Sequence, residues 1–154
     1  MMDFLPLIAA IIANVIAQLM KPFTKYFKTK KFDLLEVLSS GGFPSSHTST
    51  VSALTFSFAF RDGINSNAFM ISFILMLIVS YDAMNVRLYT GRNISVTNQL
   101  INDLRDLLGL RLDDPIYFTK LKKIIGHERV EVFGGFVLGI LVSLILFTLM
   151  GGKL

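Results

Sequence analysis

The chain contains no cysteine and only two histidines among its 154 residues. Without cysteine, disulfides, thiolate nucleophiles and zinc–thiolate sites are all excluded. The two histidines and the scattered aspartates follow no recognised spacing of metal ligands, so we expect no metal site. The sequence also has no internal repeat and no low-complexity tract, and its length is typical of a single domain.

Long apolar runs are what the chain does have. Apolar residues make up 53% of the sequence, and the mean hydropathy of +0.61 is too high for a soluble domain of this size. Four runs of 17 to 19 residues are long enough to cross a hydrocarbon core of about 30 Å. They cover residues 4–20, 44–60, 64–81 and 132–150. The first run lacks the basic flank and cleavage site of a signal peptide, so we expect it to be retained.

The sequence therefore predicts an all-α fold, a polytopic membrane helix bundle that forms one integral membrane domain over residues 1–154. About four transmembrane helices are expected, with short amphipathic helices on the cytoplasmic side. Thirteen of the 15 Lys and Arg residues fall on one side of this four-span arrangement. The positive-inside rule makes that side cytoplasmic, with segment 84–130 inside and both termini outside the cell membrane. A nucleic-acid-binding surface is not expected, since four apolar spans have no place in such a protein.

Two further patterns do not identify the surface against which they pack. In segment 84–130, one face of a predicted amphipathic helix carries five apolar residues: Leu100, Ile101, Leu104, Leu107 and Leu108. A second helix is expected to start at Asp114–Pro115. These helices either lie on the membrane surface or pack on each other. In the last span, Gly135 and Gly139 form a small-xxx-small pattern that serves either packing within the chain or a homo-oligomer.

Polar residues gather where the four predicted spans reach the cytoplasmic side. Ionisable groups near a membrane are costly, so they are functional candidates by default. The set is Lys21 after the first span, Ser45, Ser46 and His47 at the second, Asp82, Arg87 and Arg92 after the third, and His127 and Glu131 at the fourth.

The stretch Gly41–Thr50 is typical of a helix start that binds an anion. Gly41 and Gly42 allow a sharp turn, and Pro44 suits the first turn of a helix. The amides of Ser45, Ser46 and His47 would then point outward at the positive end of the helix dipole, where phosphate is the usual ligand. The alternative is an ordinary helix start with a serine cap.

Two other pairs have the chemistry of a phosphate site. His127 and Glu131 are four residues apart, so a helix places them on one face, where the carboxylate can orient the imidazole as a nucleophile or base. Arg87 could grip a phosphate bidentately while Asp82 orients it. The alternatives are a structural His–Glu pair and a salt bridge inside the membrane.

Three motifs together resemble the type 2 phosphatidic acid phosphatase superfamily, which also includes vanadium-dependent haloperoxidases. They are Gly-Phe-Pro-Ser-Ser-His ending at His47, Asp-Ala-Met-x-Val-Arg ending at Arg87, and Gly-His-x-x-Val-Glu-Val-Phe-x-Gly around His127. The combination looks most like the small, divergent bacterial branch, over about residues 14–139. The resemblance implies that His47 is the general acid, His127 the nucleophile and Glu131 its orienting group.

By the same resemblance Lys21, Ser45 and Ser46 bind the phosphate, and no cofactor is needed. Ser46 replaces the glycine that is usual in the superfamily, and Leu121 stands where the third motif would have an arginine. No Arg-Pro pair follows Lys21 at the usual spacing. Arg87 is the residue best placed in sequence to compensate for the missing arginines.

The expected function is an integral membrane phosphatase acting through a phosphohistidine at the cytoplasmic face. Its substrate would be a phospholipid or isoprenoid phosphate, either a lipid phosphate monoester or a pyrophosphate. One alternative is a catalytically weak or inactive membrane protein that binds anionic headgroups or partner proteins. Another is a small transporter that uses the same polar cluster as a headgroup port.

Overall fold

A computed structural model of the chain describes residues 2–39, 41–108 and 129–152. These ranges form five α-helices and no strand, which confirms the all-α prediction for the described chain. The helices are α1 (Leu5–Thr29), α2 (Ser46–Asp62), α3 (Asn67–Met84), α4 (Val86–Leu108) and α5 (Arg129–Leu149). Two short 3-10 helices, Met2–Phe4 and Leu34–Leu38, lie before and after α1.

Helix α2 lies at the centre of the bundle and contacts α1, α3 and α5. Its neighbours approach closely because its buried side chains are small, and most of them carry hydroxyls. The hydroxyls bond to neighbouring helices as well as to α2. Thr55 Oγ1 donates to the Ser72 carbonyl of α3 at 3.0 Å, and Asn14 of α1 donates to Thr50 Oγ1 at 2.9 Å. The polar groups of this central helix are thus used to hold the bundle together.

The packing of α5 on α2 settles the role of the predicted glycine pattern. A Cβ on Gly135 would come within 2.4 Å of the Ser45 carbonyl oxygen, and one on Gly139 within 2.6 Å of the Ser49 carbonyl oxygen. Ser49 Oγ donates to the Gly135 carbonyl at 3.1 Å. Gly135 and Gly139 therefore serve packing within the chain. A homo-oligomer remains a prediction.

Three described helical segments are long and apolar enough to cross a membrane: Met2–Thr29, Asn67–Met84 and Arg129–Leu149. They contain the first and fourth predicted runs and most of the third. The second run becomes α2, which has 17 residues and seven Ser or Thr residues. At about 1.5 Å per residue it is about 26 Å long, short for a hydrocarbon core of about 30 Å. The described helices thus support a membrane bundle with three spans identified, and not yet the expected four.

The first helix is longer than the sequence suggested. The helix that contains the predicted run of residues 4–20 continues for nine residues beyond it. Helix α1 runs on to Thr29 through Pro22, which removes one backbone hydrogen bond without ending the helix. It ends where Lys30 adopts a left-handed conformation with φ of 58°. Lys21 therefore lies inside a helix, where its position is fixed.

The segment after α3 also folds differently in part. Helix α4 begins at Val86, so a single helix of 23 residues contains the predicted amphipathic stretch. Three of its predicted apolar-face residues, Leu100, Leu104 and Leu107, are exposed. The second amphipathic helix, expected at Asp114–Pro115, lies outside the described residues. The choice between a membrane surface and mutual packing stays open.

The chain direction places four helix ends together. Helix α2 runs antiparallel to α1 and α3, and parallel to α5. At one end of the bundle, Arg61 donates to the Asp3 carbonyl at 2.7 Å, and the rings of Phe60 and Phe147 lie 5.7 Å apart. The opposite end holds the last turns of α1 and α3 and the first turns of α2 and α5. This is the convergence that the sequence predicted.

Candidate functional site

Ser45 joins two of the predicted site segments. Its backbone N–H donates to the carbonyl of Glu131 at 2.9 Å, across the junction of α2 and α5. Its side-chain oxygen caps α2 by accepting from the Thr48 amide at 3.4 Å. Pro44 therefore precedes the cap. Our prediction that Pro44 lies in the first turn of the helix was wrong. Ser46 and His47 occupy the first two helical positions, and Ser46 is buried while His47 is half-buried.

Lys21 of α1 lies near this junction, since the carboxylate of Glu131 acts on it electrostatically. Only 1% of the residue is exposed, although it carries a charged amine. Its Nζ donates to the Ser39 carbonyl at 2.6 Å, and the carboxylates of Glu36 and Glu131 act on it electrostatically. Burial of a lysine requires such compensation. Lys21 is therefore held by two other parts of the chain, the segment that contains Glu36 and Ser39 and the start of α5.

A turn at Gly42 passes beside this lysine. Gly42 has φ of +93°, a conformation that favours glycine, as the sequence suggested for this turn. A Cβ at Gly42 would lie 3.7 Å from Cγ of Lys21. The turn thus leads the chain past the lysine stem into the start of α2.

Lys21 lines a cavity of about 210 Å³, which we call the lysine chamber. Lys25 and Lys28 follow Lys21 at intervals of four and three residues, so all three stems face the same side of α1. Glu131 lines the wall that α5 contributes. The full lining is Lys21, Thr24, Lys25, Lys28, Thr29, Glu36, Gly42, Phe43 and Glu131.

A segment that we call the strap, Asp33–Ser39, borders the chamber. Lys25 Nζ lies 2.5 Å from Glu36 Oε2 and 3.3 Å from Asp33 Oδ2, so two carboxylates tie the strap to α1. Asp33 also accepts from the Leu35 amide and caps the 3-10 helix of the strap. These contacts place negative charge beside the lysines. The chamber is therefore lined by charged side chains of both signs, three lysines and two glutamates.

The remaining predicted site residues are placed only in part. Asp82 lies in the last turn of α3, which antiparallel pairing brings level with the first turn of α2. Arg87 and Arg92 belong to helix α4. Only their backbone is among the described parts of the structure. His127 lies outside the described residues. Among residues 2–39, 41–108 and 129–152, no group of His, Asp or Glu could hold a metal ion.

Comparison with known proteins decides the family. A sequence profile described as the Divergent PAP2 family matches residues 3–142, which include all the predicted site residues. The chain belongs to the divergent PAP2 family. It is also 35% identical over 146 residues to the uncharacterized membrane protein YuiD of Bacillus subtilis (strain 168), covering 92% of each chain. No solved structure matches it.

Membership of the divergent PAP2 family confirms the resemblance that the three motifs indicated. The structure brings together Lys21, Ser45 and Glu131, which represent three distant parts of the sequence. In this divergent PAP2 protein, the sequence did not point to Lys25 or Glu36 as chamber residues. The spacing of Lys25 from Lys21 was a usable signal, whereas Glu36 lies on the strap and had none.

Proposed function

We propose that this divergent PAP2 protein is an integral membrane phosphatase acting on a lipid phosphate monoester or on a lipid or isoprenoid pyrophosphate. The observation that carries the proposal is the contact between the Ser45 amide and the Glu131 carbonyl beside buried Lys21. It brings together the segments that carry Lys21, Ser45 and Glu131, which supports a phosphate site formed by these three segments. The apolar helices give such an enzyme direct access to lipid substrates.

The reaction would proceed in two steps. A ring nitrogen of His127, oriented by Glu131, attacks phosphorus and forms an N–P bond while the bond to the leaving oxygen breaks. His47 gives its proton to that oxygen. His47 then takes a proton from water, the resulting hydroxide attacks phosphorus, and the N–P bond breaks to release inorganic phosphate.

The charge that develops on the phosphoryl oxygens needs positive partners. Lys21 supplies a fixed ammonium, and Ser46 supplies an amide at the first helical position of α2, where no carbonyl of the helix accepts it. We assign Ser45 to this group through its position as the cap. Arg87 and Arg92 would add guanidinium groups from α4, with Asp82 orienting Arg87. No cofactor takes part in this scheme.

The place of His127 follows from its distance along the chain. Four residues separate it from Glu131, and this length of chain spans at most about 14 Å. Glu131 lines the lysine chamber. This length of chain allows His127 to reach the chamber, which the scheme requires.

The orientation in the membrane is part of the proposal. Residues 1–154 form one domain in which α2 crosses the membrane as the fourth span, enclosed by α1, α3 and α5. The chamber end carries most of the lysines and arginines, so it faces the cytoplasm, and both termini lie outside the plasma membrane. This orientation gives the enzyme lipids of the inner leaflet as substrates.

The test is phosphate release from phosphatidate by purified protein in lipid nanodiscs. We expect activity in the wild type, loss to background in His127→Ala and a loss of about 10²–10⁴-fold in His47→Ala, the usual contribution of a general acid. Thr97→Ala, on the exposed surface of α4, is the control and should keep full activity. Equal rates in the wild type and His127→Ala would contradict the proposal.

A second function is favoured by the charge balance of the chamber. Asp33, Glu36 and Glu131 already compensate the lysines, which suits a protein that binds anionic headgroups without hydrolysing them. Such a protein would bind phosphatidate in the same assay and release no phosphate, and His127→Ala would bind it equally well.

A further inference from the structure

A second cavity lies against the lysine chamber and differs from it in chemistry. It is an apolar groove of about 420 Å³ between α1 and α5, a size within the range of small-molecule sites. Its nine lining residues are all apolar, glycine or proline, and they include Met20, Phe43, Phe133, Val137 and Leu141. Within the described part of the chain, no charged or hydrogen-bonding side chain lines it.

The groove and the chamber are adjacent, and consecutive residues line one or the other. Met20 lines the groove and the next residue, Lys21, lines the chamber. On α5, Val130 lines the groove and Glu131 lines the chamber. Two helices thus switch from an apolar to a polar environment between consecutive residues, at the same level of the bundle.

Phe43 is the residue that both cavities share. Its carbonyl accepts from Thr24 Oγ1 at 2.8 Å, which fixes the backbone against α1. Its ring lies on the bare backbone of α5, because a Cβ at Gly134 would come within 2.3 Å of the ring atom Cε2. Phe43 therefore lies where the two cavities meet, with its backbone bonded to α1 and its ring packed on α5.

We propose that the groove binds the hydrocarbon chain of a lipid whose phosphate group occupies the lysine chamber, and that Phe43 is the partition between the two. The role of the chamber rests on the proposed function. The chamber is lined by three lysines and two glutamates, so its net positive charge is complementary to an anionic headgroup, and this selects a phosphate-bearing lipid as the occupant. The groove also opens toward the bilayer, since Phe133 is 67% and Leu141 50% exposed.

The partition gives Phe43 a role in specificity. It keeps the hydrocarbon chain of the lipid in the groove and sets how far the phosphate group extends into the lysine chamber. A water-soluble phosphate ester could enter the chamber but would leave the groove without a ligand. The protein therefore selects lipid phosphates by the groove, through contacts made away from the reacting atoms.

Fluorescence quenching tests lipid binding in the groove without requiring hydrolysis of the lipid. The chain has no tryptophan, so Phe133→Trp in a His127→Ala background places a single reporter at the groove. Tyr81→Trp, in the last turn of α3 at the same end of the bundle, is the matched control with 64% exposure. The quenchers are phosphatidate and phosphatidylcholine with dibrominated chains, each a minor component of phosphatidylcholine nanodiscs.

We expect phosphatidate to quench Phe133→Trp about fivefold more strongly than phosphatidylcholine does, as one lysine contact would give. At Tyr81→Trp the two lipids should quench equally. Adding Lys21→Met should remove the preference at Phe133→Trp, while Lys31→Met, an exposed lysine, should keep it. Equal quenching by both lipids at Phe133→Trp would overturn the inference. If phosphatidate quenches preferentially but the wild type releases no phosphate, the inference about the groove stands and the proposed phosphatase activity is rejected.

Discussion

Gly139 packs directly on Ser52: a Cβ on the glycine would lie 2.6 Å from the Ser52 Cβ and 2.7 Å from the Ala53 amide nitrogen. With Gly135 one turn earlier, this brings the backbones of α5 and α2 into contact and fixes their relative position along the bundle. The start of α5 is thereby held beside the start of α2, where the site lies.

The first prediction concerns this contact. Gly139→Leu should lower the free energy of unfolding by about 1–3 kcal/mol or more, since the obstructing atoms are backbone and cannot move aside. Thr148→Leu, an exposed position on the same helix, is the control and should change stability little. Thermal unfolding in detergent measures both, and equal midpoints would show that the helices can separate without cost.

The second prediction separates the two serines of the motif. Ser45→Ala should cost about 1 kcal/mol of stability, because it removes the cap of α2. Ser46→Gly, which restores the residue usual in the superfamily, should leave the cap and the backbone amide intact and lower the affinity for phosphate instead, because it removes the hydroxyl of Ser46 as a donor. Thermal midpoints with and without phosphate distinguish the two effects. The assignment fails if Ser45→Ala leaves the midpoint unchanged.

The third prediction concerns Lys21. Vanadate resembles phosphorus in the transition state and should stabilise the wild type by about 2.7 kcal/mol at a hundred times its Kd. Lys21→Met should remove this stabilisation because it deletes the buried ammonium of the chamber. Lys31→Met changes the net charge equally on the exposed surface and should keep it. A retained vanadate shift in Lys21→Met would place the anion elsewhere.

The fourth prediction tests the partition. Gly134→Ala should displace the Phe43 ring, and phosphate release from long-chain substrates should fall more than release from a short-chain soluble ester. Combining it with Phe43→Ala removes the clash, so the double variant should be less impaired than the two losses together predict. Strict additivity of the two changes would argue against contact between these residues.

Much of the architecture could be predicted from simple patterns. Apolar runs indicated the helices, and the distribution of Lys and Arg indicated which helix ends meet. The spacing of Gly135 and Gly139 indicated close packing, although only the coordinates show that α2 is the partner. These signals are local or periodic, so a single sequence carries them.

Other features depend on contacts between distant residues, which no local pattern records. The lysine at position 21 suggested the end of a span, but Glu36 and Glu131 compensate its charge and the helix continues. Glu36 sits in a short 3-10 helix with no periodic signal. Phe43 looked like part of a motif, and its place between two cavities depends on the absence of a side chain at Gly134.

The two sides of the chamber differ in how they can move. Helix α5, which contributes Glu131 to the chamber, packs backbone to backbone on α2, so its wall has little room to move. The opposite rim is held by ion pairs of Lys25 with Asp33 and Glu36, which are partly exposed and weak individually. In the proposed phosphatase, we therefore expect a headgroup to enter and product to leave by displacement of the strap while α5 stays in place.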